Sequence, residues 1–181
     1  MVKLLALLAN TINQLNEWVG KGVSWLATGL VILFCYDVFM RYALQITSPA
    51  IAELEAHLFA ILFLVGSGYT LKHDKHVRVD VFYAKWSDRR KAFVNLLGAL
   101  FFLLPFCLIV IKAGIPYVKT SFLMNESSSD PGGLPARYMI KSFIIIGYVF
   151  LLLQAFTMMI ESLFTLMGKS SLITSKITKS E

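Results

Sequence analysis

Four long apolar stretches govern what this chain can fold into. They cover about residues 23–44, 51–71, 92–115 and 138–167. A helix rising 1.5 Å per residue needs roughly 20 apolar residues to cross a hydrocarbon core about 30 Å thick, and each stretch is that long. Within lipid a segment must satisfy its own backbone polar groups, so each stretch is predicted to be helical. The expected fold class is therefore all-α, an integral membrane four-helix bundle. The last stretch exceeds the requirement, which predicts tilt or an extension into the interface. Composition agrees: 57% of the 181 residues are hydrophobic and only 15% charged.

Residues 1–21 read differently. Leu4, Leu8, Ile12, Leu15 and Val19 recur at helical spacing, with Lys3, Asn10, Asn13 and Glu17 elsewhere around the wheel. That pattern predicts an N-terminal interfacial amphipathic helix, anchored at headgroup level by Trp18 and Trp25. Residues 22–168 form the four-span domain, and the polar stretch 169–181 a cytoplasmic tail. The six apolar residues after Lys3 are too short for a secretory signal core.

Orientation follows from the basic residues. Seven of the 17 Lys and Arg fall in 72–91; Lys169, Lys176 and Lys179 are in the tail, and Lys3 and Lys21 near the start. The other connections hold Arg41, Lys119, Arg137 and Lys141, with Lys112 at the end of the third span. Basic residues favour the cytoplasmic side, so both termini and loop 72–91 are expected inside and loop 116–137 in the periplasm. The excess of positive charge flanks apolar runs, which argues for topology and against nucleic acid. Punctuation fits these spans. Ser48-Pro49 makes a short turn, Asp80 caps a short amphipathic helix through Trp86, and Ser87 caps the third span. Pro131-Gly132-Gly133 marks a turn, Pro135 suits the first turn of the last helix, and Pro105 predicts a kink.

Ionisable residues inside spans are functional suspects. Glu53, Glu55, Lys112 and Glu161 lie near span ends. Asp37 and His57 go deeper, and their spacing allows helical pairs Asp37–Arg41 and Glu53–His57. The middle of every span reads as apolar, which disfavours a proton or sodium relay. Cys35 and Cys107 are isolated, and only His57 lies within a span, so no disulfide chemistry, haem ligation or metal site is expected. No catalytic residue or cofactor is expected, and the chain is read as no enzyme. In the loop, His76, Arg78 and Asp80 would share one face if extended; packing on the intervening valines accounts for them.

The run GSGYTLKHDKHVRVDVFY, the preceding SPAIAELEAHLFAILFLVG and the later DPGGLPARYMIK resemble the small membrane subunit (DctQ type) of tripartite ATP-independent periplasmic (TRAP) transporters. The likeness extends over roughly residues 23–165. It implies a sodium-coupled symport system for organic acid uptake, carboxylates or sulfonates, in the bacterial inner membrane. The implied partners are a large membrane subunit (DctM type) that carries the transport sites, a periplasmic substrate-binding protein (DctP type), and membrane lipid. The resemblance makes Glu53, Glu55, His76, Arg78, Asp80 and Arg137 candidates for subunit contacts or loop organisation; Asp37, Arg41 and His57 join them as polar groups within the spans that could meet a partner membrane protein. The alternative is an autonomous small transporter or exporter working as an oligomer.

Overall fold

The computed structural model describes residues 2–73 and 86–168. The expectations for His76, Arg78 and Asp80, for the Asp80-capped helix and for the tail 169–181 lie outside these residues. Among the described residues, four helices are long and apolar enough to cross a membrane. They comprise α1 (Val2–Ala43), α2 (Pro49–Lys72), a composite third helix and α5 (Tyr138–Leu166). The composite runs through α3 (Asp88–Gly98), a π-helical turn (Ala99–Leu103) and α4 (Leu104–Leu123).

The π turn has a covalent cause. Pro105 has no N–H to give to the carbonyl four residues back, and its ring crowds that carbonyl. The helix widens just before it, and the Leu104 N–H bonds to the Ala99 carbonyl, five residues away. Ser48 occupies the N-cap of α2 with Pro49 in the first turn, and Ser87 the N-cap of α3, although neither hydroxyl makes a capping bond. Pro135, expected in the first turn of the last helix, lies ahead of it. The chain enters α5 through Ala136 at φ +59° and the helix begins at Tyr138.

Helix α5 is the hub, packing against α1, α2, α3 and α4, while α1 otherwise packs on α2. The interior is built from small and polar side chains. Ala9, Ala99, Cys107, Ala155 and Thr157 are fully buried, as are Asn16, Ser121 and Gln154 within a few per cent. Outside are Phe34, Phe39, Phe59, Phe63, Phe101, Phe102 and Ile109, each more than half exposed. A water-soluble core would have the reverse arrangement. In lipid the large apolar side chains gain nothing by hiding, whereas small residues let backbones approach and polar groups join helices. Gly147 shows the closeness: a Cβ there would stand 2.6 Å from the Leu64 carbonyl oxygen of α2.

One feature differs from the sequence reading. Residues 2–21 are helical, but α1 runs without a break from Val2 to Ala43. Its 42 residues make it about 63 Å long. The N-terminal half packs on α2 and α5 through Ala6, Ala9, Asn13, Asn16 and Gly20, while Leu4, Leu8 and Leu15 of the expected apolar stripe face outward.

Candidate functional site

Polar residues gather at both ends of the helices. At the end where α2 begins, Glu53 organises the connection between α4 and α5. Its carboxylate accepts from the Ser128 hydroxyl, from the Leu134 N–H at 2.7 Å and from the Arg137 guanidinium at 3.4 Å. The connection also bonds to itself. The Ser128 N–H donates to the Leu134 carbonyl, the Arg137 N–H to the Glu126 carbonyl, and the Gly133 N–H to the Asp130 carbonyl. Gly132 takes φ +81°, which suits glycine, and any Cβ at Gly133 would strike Ser128 Oγ. The result is a folded rim pinned to α2 by one carboxylate.

Lys141, in the first turn of α5, ion-pairs with Glu126 and lies 4.1 Å from the centre of the Tyr117 ring, a cation–π contact. The Lys141 ammonium beside Glu126 holds its carboxyl below the usual carboxylate range. A lowered carboxylate favours the folded form above its unfolded pKa of about 4.3, and that contribution fades as pH falls through the lower folded value. Thermal unfolding of the detergent-purified chain should therefore lose stability on acidification below about pH 4.5. The Glu126→Gln variant should lose less over the same interval.

Glu53 and Glu55 were both expected at an outer subunit contact. Two residues apart on a helix, they point to different neighbours. Glu53 turns to the rim, where it bonds to Ser128, Leu134 and Arg137, with His57 still within electrostatic reach. Glu55 lies within electrostatic reach of Asp37 and Arg41 of α1. Asp37 is buried and meets Arg41 at 2.5 Å, whereas the Arg41 side chain remains 48% exposed. Glu55 Oε1 is buried without a hydrogen-bond partner. His57 is half-buried on α2, and Arg137 half-buried on the rim.

At the opposite end lies a cluster the sequence reading did not identify. The Asn16 amide donates to Gln154 Oε1 at 2.8 Å, Gln154 donates to Asn13 Oδ1 at 2.9 Å, and Asn13 donates to Glu161 Oε1 at 2.8 Å. One turn on, Glu17 bonds Lys72 at 2.5 Å, the His73 ring at 2.9 Å and Lys21 at 3.1 Å. Tyr69 fills the space beside Gly20, where a Cβ would lie 2.3 Å from its ring. Together these contacts clasp the first half of α1 to α2 and α5. The last span is thus not wholly apolar: Gln154 lies within it, level with the end of α2, uncharged and doubly bonded. The available signal was Ala6, Ala9, Asn13, Asn16 and Gly20, spaced three, four, three and four.

These groups join helices and shape loops; among the described residues no three His, Cys, Asp or Glu are grouped to hold a metal ion. Outward apolar helices with polar joints inside define a multi-pass membrane protein. Residues 30–165 match the family described as tripartite ATP-independent periplasmic transporters, DctQ component, and the chain belongs to that family. It is accordingly the small membrane subunit of a TRAP transporter. No curated protein and no solved structure matches it.

Proposed function

We propose that this subunit is auxiliary: it braces a larger membrane subunit (DctM type), which carries substrate and sodium, within the bacterial inner membrane. The system takes up small organic acids, carboxylates or sulfonates, delivered by a periplasmic binding protein (DctP type). The observation that carries this reading is how the polar groups are used. Glu53, Asp37, Glu126, Gln154 and Glu161 each bond to a neighbouring helix, to the rim or within their own helix. The large apolar side chains of α1 and α4 are left outside for lipid or another membrane subunit.

The basic-residue bias of twelve to five supports an orientation with the termini and loop 72–91 in the cytoplasm and the Glu53-pinned rim in the periplasm. On that side the rim is a preformed surface for the binding protein, with Arg137 at its edge. Asp37, Arg41, Glu55 and His57 then lie near the outer face, where a large-subunit contact is assigned; the half-exposed Arg41 guanidinium is its polar anchor. The outward stripe of Leu4, Leu8 and Leu15 meets lipid at the inner face. His76, Arg78 and Asp80 keep the role of organising the inner loop.

Arg137→Glu sets a second carboxylate against Glu53 and reverses the charge at the rim. In cells carrying all three components, uptake should fall by about tenfold, equivalent to about 1.4 kcal/mol, with the subunit still present in the membrane. Unchanged uptake would remove Arg137 from the interface. The autonomous-transporter alternative is tested by reconstituting this chain alone, where solute flux would refute the auxiliary reading.

A further inference from the structure

Lys112 is expected near the end of its span, but the helix register sets it deeper. Helix α4 runs antiparallel to α5: Phe122 meets Tyr138 with ring centres 5.1 Å apart, and a Cβ on Gly114 would stand 3.1 Å from the Ile145 side chain. Lys112 is thus level with about residue 147 of α5. Helices α2 and α5 run parallel, with Leu64 against Gly147 and Gly68 against Phe150. Leu64 lies about 16 Å along α2 from Glu53 at the rim and about 12 Å from Lys72 at the other end. The Lys112 backbone is therefore near the middle of the slab between the two polar ends.

The residue also faces away from the bundle. Cys107, Gly114 and Ser121 are the buried stripe of α4, and Lys112, two residues before Gly114, is nearly opposite it around the helix. It is exposed, as are Leu108, Ile109 and Ile115 about one turn to either side. Among the described residues it has no hydrogen-bond, ion-pair or ring partner. The described carboxylate nearest in level, Glu55, is about 14 Å along α2 from Leu64. A lysine side chain spans only about 6 Å from Cα to Nζ. Its Cβ leans towards the start of its helix, here the Lys72 end. Snorkelling therefore covers about half the distance and leaves the ammonium inside the apolar layer. Such a charge is costly in hydrocarbon, and lysines placed so pair with an acid or face a protein interior.

From this placement we infer that the Lys112 face of α4 is a contact with the larger membrane subunit, and that a carboxylate on one of that partner's spans pairs with the ammonium. The inference rests on the auxiliary reading and gives it a specific contact at mid-depth, separate from the one assigned to Arg41. Leu108, Ile109 and Ile115 surround the pair with apolar surface, so it forms away from water and discriminates strongly against a partner without the acid. A second copy of this chain does not meet the need, because its described residues offer no carboxylate at this level. A lipid phosphate stays in the headgroup layer, beyond the reach of the side chain.

The test measures association of the full chain with its large partner, by dilution of the detergent-purified complex and native mass spectrometry. Lys112→Leu strands the partner's carboxylate and should weaken association at least about thirtyfold, whereas Lys112→Arg should stay within about threefold. Lys119→Leu, at the rim end of α4, should stay within about twofold. The Lys112→Leu chain purified alone should unfold at the wild-type temperature or higher, because leucine suits an apolar surroundings better than an ammonium does. These opposite signs separate a lost pair from a lost fold. A Lys112→Leu complex as tight as the wild-type one would overturn the inference and leave the auxiliary reading standing; so would a Lys112→Leu chain that is less stable alone, which would make the lysine an internal support. Release of a second copy of the chain by Lys112→Leu, with the large partner retained, would overturn it in favour of a homomeric contact. Recovery of no larger membrane protein with the wild-type chain would overturn both.

Discussion

Gly147→Leu should separate α2 from α5 and give a chain that unfolds readily in detergent. A Cβ at this position would lie 2.6 Å from the Leu64 carbonyl oxygen and 2.7 Å from its carbon. Both are backbone atoms, so no rotamer change relieves the collision and the helices themselves must move. Overpacking typically costs about 1–3 kcal/mol, and a clash with backbone belongs at or above the upper end, about 3 kcal/mol. Helix α5 is the hub of the fold, so the damage should spread to α1 and α4. Gly66→Leu on α2 is the control, because nothing lies within 4 Å of a Cβ there. Unfolding free energies of the two variants, measured in the same detergent, should differ by nearly the full penalty. If Gly147→Leu proved as stable as Gly66→Leu, the close approach of α2 to α5 would be wrong.

Gln154→Leu should give the second largest loss. It removes the amide that receives from Asn16 and donates to Asn13, both buried. Polar joints between membrane helices average about 0.6 kcal/mol each, so two lost bonds account for about 1.2 kcal/mol. Two buried amides left with unmet groups raise the cost to about 2 kcal/mol. The sign of the coupling provides the sharper test. Replacing both partners of a hydrogen bond by apolar groups can be nearly neutral. Adding Asn16→Leu to Gln154→Leu should therefore cost less than the two single losses combined. Strict additivity would mean that the two amides do not act as a joint.

The sequence revealed the spans because a hydrocarbon core imposes a length and an apolar composition that a single chain displays openly. The boundaries at Pro49, Lys72, Tyr138 and Leu166 lie within two residues of the expected ones. The Asp37–Arg41 pair was legible because helical spacing alone sets it. The clasp was not. Reading Leu4, Leu8, Ile12, Leu15 and Val19 as the organising face of α1 applies the logic of a surface exposed to water on one side only. Inside a membrane protein the informative face is small and polar, and Asn13 and Asn16 occupy it. The direction of Glu53 was likewise hidden, because its partners Ser128, Leu134 and Arg137 lie more than 70 residues away along the chain. The continuity of α1 had a local reason: nothing between Trp18 and Trp25 breaks a helix, apart from two glycines that it tolerates.

The central claim is that this chain braces a carrier and does not carry solute itself. It is tested most directly by purifying the tagged subunit in mild detergent from cells that express the whole system, then reconstituting what is recovered. The account predicts one stable complex containing a larger membrane protein, with uptake by vesicles that hold both and none by vesicles that hold this chain alone. Repeated recovery of the chain by itself, or solute flux through it alone, would contradict the account.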